Sequence, residues 1–176
     1  MTTHGPHLLL YPDAARRIER RAQMSPERET GGLLLGFRVA TNIATNIHAI
    51  DAVEVRDRSA SRSRYVLRKC TADRALAAYL ACLCEDSPVG YVGLWHTHLA
   101  CAGPSFTDRL TLRREAAVLT DSVALLVFAR CATGWKPYAY ASVKGGRRYV
   151  TVAEVDYPSG SSGNGSPVGG ENDCST

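Results

Sequence analysis

A chain of 176 residues with 45% apolar content can bury one ordinary core and is too short for two comfortable domains. No stretch approaches the roughly 20 apolar residues of a membrane-crossing helix, and the start Met1 to His7 lacks the basic and apolar regions of a secretion signal, so a cytoplasmic protein with no membrane role is expected. The formal charge is +4, and all but Lys69, Lys136 and Lys144 of the 21 basic residues are arginine, a surface able to attract acidic partners; no nucleic-acid motif or aromatic stacking pattern accompanies it, so nucleic acid is not an expected partner.

The run Leu8-Leu9-Leu10-Tyr11 reads as a short buried strand. Pro12-Asp13 then opens a helix to about Met24 with Ala15, Ile18 and Ala22 on one face. Gly31 to Gly36 continues as a central strand, too apolar for a surface turn. A third strand covers about Asn46 to Arg56, a polar loop follows to Arg64, and Tyr65-Val66-Leu67 predicts a further short strand. Between Thr71 and Glu85, apolar residues recur at three- and four-residue steps and predict a helix that covers the sheet. Val89 to His96 is an apolar strand, a Gly103-Pro104 loop leads into a helix over Phe106 to Leu119, and Val123–Phe128, Tyr138–Val143 and Arg148–Val155 supply the remaining strands. These elements place one domain at residues 6–157, and the Gly/Ser-rich stretch 158–176 is expected to be a disordered tail.

Six cysteines, at 70, 82, 84, 101, 131 and 174, show neither zinc-knuckle spacing nor the density of a disulfide scaffold, and are read as reduced thiols. Cys82 and Cys84, two apart in the predicted helix, make a poor metal clip and are assigned to core packing.

His96 and His98 sit two apart at the end of a strand, where side chains alternate faces, so both imidazoles project to one side and Thr97 to the other. Two neutral imidazoles can share one zinc ion at about 2.0–2.1 Å. Asp108, ten residues after His98 and in the first turn of a helix, is the candidate third ligand. Two histidines and one aspartate leave a fourth position to water, the pattern of a catalytic zinc site. Taken by themselves these residues also fit a different reading, in which Ser105-Phe106-Thr107-Asp108 is a helix capping box and the histidines are incidental.

Glu29-Thr30-Gly31-Gly32, then His96-Thr97-His98, then Ser105-Phe106-Thr107-Asp108 occur in the order of the JAMM (JAB/MPN) metalloprotease and isopeptidase family, which the chain resembles over roughly residues 8 to 155, with Gly93-Leu94-Trp95 similar to its prokaryotic branch. Leu99 stands where that family has proline, and the loop between His98 and Ser105 is one residue shorter; Cys101 within it is read as an ordinary loop thiol. The resemblance implies an α/β domain with a central mixed, largely antiparallel sheet flanked by helices, in cytidine-deaminase-like layering. It implies a zinc ion on His96, His98 and Asp108, proton transfer by Glu29, and a hydrogen bond from Ser105 to the oxyanion. The implied substrate is a ubiquitin-like or sulfur-carrier protein with an extended glycine-ended tail. Two other functions are weighed beside hydrolysis: a non-catalytic interaction scaffold on the same fold, and a two-metal phosphoesterase, for which the sequence offers no obvious ligand set.

Overall fold

The computed structural model describes residues 7–41, 45–119, 121–142 and 150–157. The predicted tail lies outside these residues, as do Cys174 and the stretch ahead of Val150 that was read as strand. The order of elements is β1 (His7–Leu10), α1 (Pro12–Met24), β2 (Gly31–Ala40), β3 (Thr45–Glu54), α2 (Lys69–Leu80), β4 (Gly90–His98), α3 (Phe106–Val118), β5 (Ala124–Cys131), β6 (Gly134–Ser142) and β7 (Val150–Asp156).

These elements form a single α/β domain, but the expectation of an open sheet flanked by helices needs correction. The strands close into a barrel in the order β1-β3-β2-β4-β5-β6-β7, because β1 pairs in parallel with both β3 and β7. The sheet is mixed as expected: β4 and β5 are also parallel, and the remaining neighbours are antiparallel.

Closure divides the apolar residues into two sets. All seven strands contribute to the first, through residues such as Leu8, Leu34, Ile47, Trp95, Leu126, Ala139 and Ala153, and α1 joins them with Ala14 and Ile18. The buried Ala14, Ile18 and Ala22 recur every four residues, which gives α1 one apolar stripe, and Pro12 starts the helix where a missing N–H costs nothing. Outside the barrel, Leu33, Leu35, Leu94, Val123 and Leu125 point the other way and meet Ala72 of α2 and Leu112 of α3. Alternation along β2 therefore sends Leu34 inward and its neighbours outward.

Three local expectations also change. The α2 helix ends at Leu80 rather than Glu85; Cys82 N–H and Leu83 N–H turn back to carbonyls three residues earlier, tightening the chain before Pro88. Cys82 and Cys84 therefore leave the helix and are exposed, so core packing is not their role. Tyr65-Val66-Leu67 forms no strand. The loop before it closes on an isolated bridge between Ser61 and Arg64, and the Tyr65 hydroxyl donates to Val55 O at 2.7 Å.

Candidate metal centre

The βαβ unit β4-α3-β5 builds the site. A helix that returns the chain to a parallel neighbour starts beside the carboxyl end of the first strand, so the first turn of α3 faces the end of β4. Ser105 is the N-cap of α3, and the expected capping box is present: Ser105 Oγ accepts from Asp108 N at 3.2 Å while Asp108 Oδ2 accepts from Ser105 N at 2.6 Å. The box fixes the Asp108 carboxylate, and that same carboxylate lies against both imidazoles. The two readings of this segment therefore describe one arrangement.

His96 Nε2 and His98 Nε2 are 3.0 Å apart, and they lie 3.3 and 3.4 Å from the two oxygens of Asp108. Around a tetrahedral zinc ion with ligands at about 2.0–2.1 Å, neighbouring ligand atoms are separated by about 3.3 Å. The donor set also fits a cation. The His98 Nδ1 atom is 3.0 Å from the Ala102 carbonyl, which can only accept, so Nδ1 carries a proton. Nε2 is the nitrogen that faces the centre, holding a proton toward Asp108 in the metal-free site and giving it up to bind a cation. Thr97, between the two, points away from the site and is fully buried. The three site residues can thus hold a metal ion.

Glu29 enters from the other side. Gly31 pairs with His96 in the β2–β4 ladder, and beyond it Thr97 N donates to Thr30 O at 2.8 Å while Thr30 N donates to Thr97 Oγ1 at 2.9 Å. These bonds lock the residue after Glu29 to the residue between the histidines. Glu29 is 8% exposed, and burial raises its pKa against the lowering charges of His98 and His96; Asp108 adds to the rise. For His98 burial works downward, but the bonds to Asp108 and Ala102 and the charges of Glu29 and Asp108 prevail and raise it. Burial opposes the Asp108 charge too, and is outweighed by His96, His98 and Ser105, which hold that carboxyl far below the ordinary range.

A family model described as prokaryotic homologs of the JAB domain matches residues 12–143. The chain belongs to that family. No curated protein matches it. Among solved structures, the solution structure of protein DSY2949 from Desulfitobacterium hafniense is similar at 16% identity and a TM-score of 0.59, covering 85% of this chain and 92% of that one. That likeness is one of fold.

Within this JAB domain, three participants escaped the sequence reading. Tyr65 stacks near His96, with ring centroids 6.5 Å apart, and its ring occupies the space a Gly31 side chain would need. Burial and the charges of Asp57 and Glu54 raise its pKa, so its hydroxyl stays a protonated donor to Val55. The close approach at Gly32 is likewise a packing contact, since a Cβ there would overlap the Val53 carbonyl. The second participant is Ala102, through its carbonyl. The third is a disulfide between Cys101 and Cys131, which corrects the reading of both as free thiols. Parallel register puts His98 beside Ala129, so the loop after β4 passes over the end of β5, and there the two sulfurs meet. Among the described residues one further group has ligand-like spacing, His7 with Glu154 and Asp156; it offers one imidazole and two exposed carboxylates.

Proposed function

We propose that this JAB domain is a zinc-dependent hydrolase that cuts a peptide or isopeptide bond at the carboxyl terminus of a ubiquitin-like or sulfur-carrier protein. The observation that carries the reading is the convergence of His96, His98 and Asp108 at ligand spacing with the buried Glu29 carboxyl inside the same field of charges. Zinc, when bound there, supplies a Lewis acid that polarises a carbonyl and brings the pKa of water near 7.

The protein's own groups do the rest. Glu29 holds the proton taken from the attacking water and returns it to the departing amine, work that suits a buried carboxyl set among the charges of His96, His98 and Asp108. Ser105 uses a lone pair of Oγ to cap α3, which leaves its O–H able to donate to the carbonyl oxygen as negative charge builds there. Capping and catalysis therefore draw on different parts of one hydroxyl. A cleft of about 260 Å³, lined by Tyr65, Leu67, His96, Thr107 and Asp108 among others, receives the tail. Glycines suit it because they let a backbone come close to His96 and Asp108.

Elemental analysis should find zinc in the wild type and not in His96→Ala; equal metal in both ends the proposal. Glu29→Gln should retain zinc and lose cleavage of a Gly-Gly-amide reporter by about 10²–10⁴-fold, and undiminished cleavage would remove Glu29 from its role. Zinc binding with no cleavage of any glycine-ended tail would favour the scaffold reading.

A further inference from the structure

Two neighbouring clefts lie on the Glu29 side of the metal centre. The first, of about 370 Å³, is lined by residues that include Arg28, Glu29, Arg56, Asp57, Arg58 and Tyr65. The second, of about 680 Å³, is lined by Arg17, Arg20, Arg21 and Met24 of α1 and by Glu54 and Arg56 among others. Glu54 and Arg56 line both, so the two clefts adjoin and together form an arginine-lined trough beside α1.

Three carboxylates near this trough are already engaged. Asp51 is 3.1 Å from Arg17 and accepts from the Tyr79 hydroxyl. Glu54 lies 3.3 Å from Arg21 and 3.7 Å from Arg56. Asp57 accepts from Ser59 and from Val66 N. Arg20, Arg28 and Arg58 are all exposed, and among the described residues none of them has an ion pair. Met24 is 64% exposed and shares the second cleft with Arg17, Arg20 and Arg21, an apolar contact inside a cationic rim.

We propose that this arginine-lined trough is a docking surface for an acidic segment of the protein substrate, held there while the substrate's extended end reaches the metal centre. The end point rests on the hydrolase reading; the docking does not. Guanidinium forks match carboxylates in geometry, and one exposed pair is weak, so a useful hold draws on Arg28 and Arg58 in the first cleft together with Arg20 in the adjoining one. A nucleic-acid strand fits worse. The Tyr65 ring is packed over Gly31 rather than free to stack on a base, and no other aromatic side chain among the described residues lines either cleft.

The test uses the full chain and two fluorescein-labelled peptides ending in Gly-Gly, one carrying four glutamates ahead of that end and the other four glutamines. In anisotropy titrations at about 0.05 M salt the glutamate peptide should bind about tenfold more tightly, and the difference should vanish near 0.5 M. The triple variant Arg20→Glu, Arg28→Glu, Arg58→Glu should abolish the difference, while Arg113→Glu, Arg114→Glu on α3 should keep it. Equal affinity of the two peptides, or a triple variant that behaves as wild type, overturns the proposal. So does an oligo-dT of the same charge that binds as tightly and is lost in the same triple variant, because the trough would then serve nucleic acid. Preference for the glutamate peptide without cleavage of a Gly-Gly-amide reporter would sustain the docking surface and reject the hydrolase reading.

Discussion

The two histidines at the end of β4 are held from opposite sides by different means. On the β2 side, His96 lies in a buried antiparallel ladder, and Thr97 exchanges hydrogen bonds with both backbone groups of Thr30. On the other side, His98 leans on the carbonyl of Ala102 in an exposed loop whose neighbour Cys101 is joined to β5. The first support consists of many regular bonds shielded from water. The second has few packed groups, and one covalent link replaces them. On the proposed hydrolase reading, proton transfer by Glu29 should therefore depend on the sheet, and tautomer control at His98 on the loop.

The largest effect that would sharpen this contrast is expected from Cys131→Ser. The disulfide spans 30 residues, and in the chain-entropy account removing a link of that span costs about 3–4 kcal/mol of stability. Chemical denaturation measures that loss. Zinc titration should show an affinity lower by about tenfold, the scale for losing an outer hydrogen bond to a metal-bound histidine, because Ala102 is no longer fixed. Unchanged zinc affinity would show that the loop holds His98 without the link.

Thr97→Val probes the opposite side. The substitution keeps the shape and removes the hydroxyl that serves Thr30 N, so a buried N–H is orphaned at a cost of about 2 kcal/mol. Zinc affinity should stay near wild type, since neither imidazole bonds to Thr97, while cleavage falls as Glu29 shifts. A loss of zinc equal to that in Cys131→Ser would break the contrast between the two sides.

What could be read without coordinates follows the same division. His96 and His98 were legible because a strand repeats every two residues, and Asp108 because a Ser-x-x-Asp start fixes a helix cap. Their convergence needed only β4, α3 and a short loop between them. Barrel closure was not legible, since it brings His7 to Asp156 across 149 residues and no local pattern encodes such a pairing. Cys101 and Cys131 meet only because β4 and β5 are parallel neighbours, which cysteine spacing does not reveal. Tyr65 escaped for a similar reason. Read together with Val66 and Leu67 it suggested a short strand, whereas its ring packs on the bare backbone of Gly31 on a different element.

The smallest expected effect belongs to Asp57, which organises the loop that carries Tyr65 toward the β2 side of the site. Burial opposes the charge of Asp57, but bonds from the Ser59 hydroxyl, Ser59 N and Val66 N, together with the charge of Arg68, outweigh it and hold the pKa below its ordinary value of 3.8. A carboxyl whose folded pKa is depressed adds stability that is complete above the unfolded value and fades as pH falls through the folded one. Asp57→Asn should therefore lose about 1.5 kcal/mol at pH 7 and the same at pH 6, with the gap to wild type narrowing once the pH drops below 3.8. Denaturant unfolding at several pH values measures this. If the gap persists undiminished in acid, the carboxylate charge is not what orders the loop, and Tyr65 owes its place to packing against Gly31 and its bond to Val55.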